Sequence, residues 1–438
     1  MSTSSLPISN LVLESGHALA QGDISPFDPT ERFSQLVGHF ALHVGLGQSE
    51  ELLARDALGV NKLFFAIDSA GVHSANYFID LVNSGFKPSQ IWSVPSGHVA
   101  RINTDKRELK LEKYLALGYD DDAPAIPSEL PGHAQRIVEQ LENKFVELRE
   151  VLSGRPLYVT LSGGLDSTTI AALVREHIGP FTAVTFAVRE PGESDQSHSD
   201  LYFAQKVAKE FGVPLEVVEI SASTLPDWLD EVLVYGQDFR DFNVHCGLVN
   251  AVLAGAIARL PRPPGSARPC VLTGDTMNEL VADYTPVQYG ESEYYSLPKL
   301  APGRLRRFLV SGLDTGDREV GLYARHGIDT IQPYALCAGA YAGLPGGFLN
   351  DDHAKQTLVR LMMGDRVPSF IYDRPKVRAQ VADSAKVGGT MAALLDRGID
   401  SPYLVSRFCH LLGFDEAELK RWIRGGLYRF TASYPESK

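Results

Sequence analysis

Ser162, Gly163, Gly164, Asp166, Ser167 and Thr168 crowd hydroxyls, glycines and one carboxylate into a single short stretch. Those residue types suit the binding of a phosphate chain. Glycine lets a phosphate oxygen approach the backbone closely, and the three hydroxyls add donors. A carboxylate repels phosphate, so Asp166 makes chemical sense there when it holds a cation such as Mg2+. No Lys follows the glycines, which excludes the Gly-Lys-Ser/Thr phosphate loop. The flanking residues supply the elements that must position the turn. Tyr158 to Leu161 read as a buried strand, and Thr169 to Arg175 continue as an apolar, Ala-rich helix. The Ser-Gly-Gly turn between them directs backbone N–H groups into a concavity, and the helix N-terminus adds its positive end.

The same alternation of strand and helix continues on both sides of this turn. Ala134 to Leu152 form an amphipathic helix before it. After it come a strand at Phe181 to Val188, a helix at Asp200 to Phe211 and a strand at Leu215 to Ile220. A helical stretch from Leu225 to Leu260 then leads to a strand at Cys270 to Thr273, and the chain reads mostly helical after Arg304. That order predicts a parallel α/β sheet with crossover helices. Residues 34–118 instead hold short apolar or alternating runs between Gly, Asn and Asp turns, the pattern of a β-rich region. The acidic, proline-rich stretch from Asp120 to Gly132 reads as a linker, which divides the chain into 1–118, 119–132 and 133–438.

Composition agrees with two domains, since single cores stop growing at about 250–300 residues and this chain has 438. A formal charge of −13 argues against a large nucleic-acid footprint, whereas a nucleotide needs only a local positive pocket. Cys246, Cys270, Cys337 and Cys409 are scattered without the paired spacing of a zinc, iron–sulfur or redox site, so free thiols in a reducing cytosol are expected. The sequence opens without a basic stretch followed by an apolar core, and no run of about 18 apolar residues occurs. A cytoplasmic protein without membrane partners is the expectation.

In its strand–turn–helix setting, Ser162 to Ser167 resembles the SGGxDS pyrophosphate loop of the N-type ATP pyrophosphatases, which split ATP to AMP and pyrophosphate. Further segments resemble the asparagine synthetase family, including its β-lactam synthetase relatives. Ala54 to Phe65 is similar to the family's ARDPLG…LYY segment, Ile91 to His98 to its LPPGH segment, and Glu112 to Tyr114 to the end of that domain. Thr273 to Leu280 resembles the S-G-E-G-x-D-E-L loop, and Arg374-Pro-Lys376 resembles the R-x-K segment that carries the catalytic lysine. The resemblance implies a β-rich N-terminal remnant of an Ntn-hydrolase glutaminase. It further implies a C-terminal parallel-sheet ATP pyrophosphatase domain of the adenine nucleotide α-hydrolase type, with extra C-terminal helices.

The resemblance also implies roles. Leu161, Val188, Thr273 and Gly274 contact adenine, and Ser162, Gly163, Gly164, Asp166, Ser167 and Thr168 cradle pyrophosphate. Lys376 faces the α-phosphate, Asp275 is the candidate general base, and Glu279 keeps the family's second acid. Asp166 and Asn278 hold Mg2+, Asn278 standing where the family has an acid and therefore binding more weakly. Lys355, in the family's K-x-x-L-R segment, reads as packing or charge balance. Asp329 and Tyr334 fall in the E-x-R-x-P-F/Y segment with Ile331 in place of Arg, so substrate recognition has diverged. His245 reads as a helix residue rather than a ligand.

The implied activity is an ATP-dependent, AMP-forming amide ligase of specialised metabolism, antibiotic biosynthesis included. It would join a small carboxylate to ammonia or another amine, with ATP and Mg2+ and with a homodimer as the candidate assembly. Three alternatives compete: a β-lactam-type cyclising synthetase, a tRNA-modifying enzyme of the same superfamily and a non-catalytic nucleotide-binding homologue. Family glutaminases use an N-terminal cysteine, whereas position 2 is Ser2 and the first cysteine is Cys246. We therefore expect no glutamate release from glutamine, even with ATP and substrate present. Release that disappears in Ser2→Ala would make Ser2 a nucleophile and refute this expectation.

Overall fold

The computed structural model describes residues 8–20, 23–25, 27–45, 49–189, 199–262, 264–310, 317–375, 377–381, 388–419 and 429–435. Ser2 lies outside them. The central element is a five-stranded parallel sheet in the order Leu215–Ser221, Thr182–Arg189, Leu157–Thr160, Cys270–Leu272 and Asp329–Ile331. Parallel neighbours need crossover connections, and the helices that make them cover both faces. Successive side chains of a strand point to opposite faces. Leu157 and Val159 accordingly join one core with Phe145 and Leu148 of the helix Leu130–Val151 and with Ile170 and Val174 of the helix Leu165–His177. Tyr158 joins the opposite core with Val184, Phe186 and the helix Asp241–Arg259.

That last helix is apolar and long enough to cross a membrane by length and composition, but 72% of its apolar window is buried inside the protein. It is apolar because sheet and helices surround it, not because lipid does. The expected helical stretch from Leu225 to Leu260 is helical on both sides of an interruption at Gln237, before the helix Asp241–Arg259. Gln237 adopts φ +59, and its side chain instead accepts from Phe78 N at 2.7 Å and donates to Asn76 O at 3.0 Å. A polar tie to the β-rich region has replaced one turn of helix. Other elements escaped the sequence reading, among them the strand Asp329–Ile331, the hairpin Val287–Tyr289 with Ser292–Tyr294, and the strands Leu11–Glu14 and His17–Ala18.

The N-terminal region folds as three small antiparallel sheets. It packs directly on the α/β region, since Ile8, Leu58, Val60 and Tyr77 belong to the same core as Leu157 and Val159. Buried polar ties cross between them. Lys62 Nζ donates to Gly236 O at 2.9 Å, Tyr77 Oη to Gly321 O at 2.7 Å, and Gln332 N to His39 Nε2 at 3.0 Å. Burial pushes the His39 imidazole down to about 4, so it stays neutral and accepts.

The stretch read as a linker is anchored. Gly346 N donates to Asp120 O at 2.7 Å, and the Asp121 carboxylate pairs with Arg306 at 3.3 Å and Arg307 at 2.6 Å. Arg306 is fully buried and also donates to Tyr341 O and Leu344 O. Asp121→Ala would leave that guanidinium buried without its carboxylate. We expect a loss of about 3–5 kcal/mol in urea unfolding, whereas Asp122→Ala, whose carboxylate is exposed, should change little.

Candidate active site

The Ser-Gly-Gly turn sits where the strand Leu157–Thr160 ends and the helix Leu165–His177 begins, at the carboxyl edge of the sheet. Gly163 has φ +68, and a Cβ there would lie 2.5 Å from Phe203 Cβ, so only glycine fits. The loop is braced from within and from afar. Ser162 Oγ and Ser167 Oγ are 3.1 Å apart, and Ser162 N donates to Ser167 Oγ at 3.2 Å. Arg374 donates to Ser162 O at 2.9 Å, pairs with Asp200 and lies over the Phe203 ring. Tyr334 Oη donates to Asp166 O at 3.1 Å. The loop is therefore braced from several sides.

A second loop follows the strand Cys270–Leu272 and touches the first. A Cβ on Gly274 would lie 2.9 Å from Ser167 N and 3.0 Å from the Asp166 carbonyl carbon, so glycine is required at this crossing. Thr276 turns the chain at φ +81 into the single helical turn Met277–Leu280. Asp283 N then donates to Asn278 O at 2.9 Å, which folds Asp283 back beside Asn278.

The two loops face a cavity of about 440 Å3. Leu161, Ser162, Gly164, Asp166, Ser167, Gly274, Asp275, Asn278 and Glu279 all line it. Gly163, Thr168, Val188 and Thr273 do not. Thr168 is buried beneath the loop, and the Thr273 hydroxyl donates to Glu319 at 2.6 Å. Val188 lies two residues beyond Phe186 on its strand, packed against the sheet core, and Val184, Thr185 and Phe186 form that wall instead. Lys376 lies outside the described residues. Its neighbours Arg374, Pro375, Val377 and Arg378 are on the cavity wall.

Lys355, read from the sequence as packing or charge balance, is at the centre. Its ammonium donates to Asp166 Oδ2 at 2.6 Å and Asn278 Oδ1 at 2.8 Å, and pairs with Asp283 Oδ2 at 3.3 Å. Burial alone would lower its pKa, but the charges of Asp166 and Asp283 together outweigh burial and raise it. The K-x-x-L segment was the only sequence signal for this lysine, and Asp283 had none.

The acids of the second loop separate into distinct states. Asp275 pairs at 2.9 Å with Arg318, a buried guanidinium that also reaches Asn243 at 3.3 Å. Glu279 is buried and accepts from Tyr284 Oη at 2.6 Å. Burial, and then the Asp275 charge, push its carboxyl up to about 7. Glu319 accepts from Thr273 and from Gln332 Nε2 at 2.7 Å, and burial followed by the Asp275 charge raises it well above the ordinary range. Asp275 is thus held as an ion pair, Glu279 is poised between its two states near neutral pH, and Glu319 is shifted toward its protonated form. The His245 ring, expected to be a helix residue, is buried with Nδ1 2.6 Å from Tyr295 Oη. Cys246 donates to Gln380 Oε1 at 3.1 Å, and burial raises its thiol to about 11, well away from nucleophile range. Among the described residues no His, Cys, Asp and Glu cluster forms a metal-ligand set.

Residues 144–312 match the family model described as asparagine synthase. That stretch, which is similar to the asparagine synthase family, holds both loops of the cavity. Among solved structures, the NMN synthetase of Francisella tularensis is similar over 65% of this chain and 93% of its own, with 13% identity and a TM-score of 0.29. The NH3-dependent NAD synthetase of Campylobacter jejuni is similar over 40% of this chain and 73% of its own, with 19% identity and a TM-score of 0.25.

The buried proton on Glu279 has a sign that can be tested. A carboxyl raised from 4.5 to about 7 in the folded state stabilises fully below about 4.5. That contribution is lost as pH rises through about 7. Relative to Glu279→Gln, the native chain should lose about 3 kcal/mol of unfolding free energy between pH 4.5 and pH 8. Parallel pH profiles for the two proteins would show that Glu279 titrates as an ordinary exposed acid.

Proposed function

We propose that the chain activates a small carboxylic acid as its acyl-adenylate and passes the acyl group to an amine. A carboxylate is a poor electrophile because its leaving group would be oxide. Attack by the carboxylate oxygen on the α-phosphorus of ATP forms the acyl-phosphate bond and breaks the bond to the bridging oxygen, releasing pyrophosphate. The amine nitrogen then attacks the acyl carbon, the bond to AMP breaks, and the nitrogen loses a proton.

The observation that carries this reading is the meeting of the braced Ser-Gly-Gly loop and the acid-bearing loop across one cavity. The loop N–H groups and hydroxyls suit a pyrophosphate leaving group. Asp166, Asn278 and Asp283 offer two carboxylates and an amide oxygen around a buried cation, which is the hard-oxygen donor chemistry that fits Mg2+. Such an ion would neutralise charge on the pyrophosphate. For proton removal, Glu279 suits the task better than Asp275, because Asp275 is held in its ion pair with Arg318 while Glu279 is poised near neutrality. Asp275 with Arg318 then orients the acyl substrate. The proposed cation over the α-phosphate remains Lys376. A role in specialised metabolism, with the β-rich region as a partner fold rather than a glutaminase, completes the reading.

The test is exchange of labelled pyrophosphate into ATP in the presence of candidate acids. Exchange that depends on one acid supports adenylation, and cleavage of ATP to ADP in its place would overturn it. Lys376→Ala should still bind ATP, since the cradle lies elsewhere, while product formation falls by about two orders of magnitude. Turnover within a few-fold of the native rate would move the catalytic cation to another residue.

A further inference from the structure

Lys355 sits among the oxygens that, on the reading above, would hold a divalent cation. Its ammonium has three N–H donors, and three oxygens from separate segments receive them: Asp166 Oδ2 at 2.6 Å, Asn278 Oδ1 at 2.8 Å and Asp283 Oδ2 at 3.3 Å. A magnesium ion among the same oxygens would sit about 2.0–2.1 Å from each. That would leave it too close to the nitrogen for both cations to be present. The charge balance explains why lysine suffices. Asp166 and Asp283 carry two negative charges and Asn278 none, so one ammonium leaves a single residual charge. A third carboxylate at position 278 would leave two, and the neutral Asn278 is what allows a monovalent cation to hold this centre. The lysine has somewhere to go, because it projects from the first turn of the helix Ala354–Met363 into the cavity wall beside the phosphate loop.

We propose that Lys355 is a resident counter-cation that excludes divalent metal from the nucleotide-free protein and moves onto the phosphate chain when nucleotide arrives. This rests on the reading of the cavity as an ATP site. Metal affinity is then conditional. Without nucleotide the metal must displace an ammonium from its partners Asp166 and Asp283. With nucleotide the phosphate oxygens take the ammonium, and the three protein oxygens become available. The four-carbon stem has the reach and flexibility for such a transfer. The consequence is ordered loading, in which metal and nucleotide enter together.

The experiment uses the full chain and Mn2+ as an electron-paramagnetic probe, read as free against bound ion rather than as turnover. Ligand-free native protein should bind Mn2+ weakly, and α,β-methylene-ATP should tighten it at least tenfold. Lys355→Met, which keeps the stem and removes the charge, should bind Mn2+ without nucleotide at least tenfold more tightly than the native chain. Adding Asp283→Asn to that variant should remove the gain. Equal ligand-free affinity in native protein and Lys355→Met overturns the proposal, as does loss of the gain's dependence on Asp283. Should Lys355→Met fail to fold, the native titration decides alone, because an Mn2+ affinity indifferent to the analogue is incompatible with a displaced lysine. Failure of the analogue to bind native protein by calorimetry would instead refute the ATP reading, while the metal-only comparison of the two proteins still tests the lysine.

Discussion

The approach of Gly274 to the backbone of Asp166 and Ser167 is the constraint on which the site depends. Parallel pairing of Leu157–Thr160 with Cys270–Leu272 brings the two strand ends side by side, and both chains must turn there. Any side chain at position 274 would push the loops apart, since its Cβ would fall within 3.0 Å of the neighbouring backbone. Asn278 would then move away from Asp166, and Lys355 could no longer reach both. The crevice outside the carboxyl ends of adjacent parallel strands is the general ligand position in such sheets. Here that topology is sharpened by a glycine contact into a fixed distance between two loops of different charge.

Charge governs the cavity as much as shape does. Asp166, Asp275, Glu279, Asp283 and Glu319 all face a small volume shared with Lys355 and Arg318. Not all five acids can ionise together in a poorly solvated space. The structure divides them by partner. Asp166 and Asp283 share an ammonium, Asp275 takes a guanidinium, and Glu279 and Glu319 are left with hydroxyl and amide donors. The last two therefore rise in pKa, with burial as the larger cause and the Asp275 charge added to it. Glu279 is placed by the same logic between fully ionised and fully protonated, where a proton acceptor is most useful.

Much of this was legible in the sequence where local pattern and global fold agree. The Ser-Gly-Gly-Leu-Asp-Ser turn declares itself because its glycines and hydroxyls have no other common reason to sit between an apolar strand and an Ala-rich helix. The strands Thr182–Arg189 and Leu215–Ser221 were visible through their β-branched runs. What stayed hidden depends on how the chain returns in space. Asp329–Ile331 is too short to show a period, and it is a strand because Cys270–Leu272 offers it a parallel edge. Val188 was two residues beyond the cavity wall, a shift that keeps it on the same strand face but moves it about one residue pair along the strand. Asp283 is folded back to the site with its N–H on Asn278 O, a contact with no sequence pattern of its own. Lys355 is distant in sequence from Asp166, Asn278 and Asp283, whose oxygens it reaches.

Gln332 is one of the residues that tie the β-rich region to this site. Its backbone N–H donates to the neutral ring of His39, which fixes the end of the strand Asp329–Ile331 from the outside. Its side chain then works on the inside: Nε2 donates to Glu319 at 2.7 Å, and Oε1 accepts from Thr276 Oγ1 at 2.8 Å. Thr276 is held at φ +81, an unfavourable conformation for a β-branched residue, and the surrounding bonds must maintain it. That turn aims Asn278 and Glu279 into the cavity. A protonated His39 could not accept from Gln332, so the burial that keeps the imidazole neutral is a condition for this chain of contacts. The N-terminal region thus supports, through His39 and Gln332, the strained turn that carries the acids.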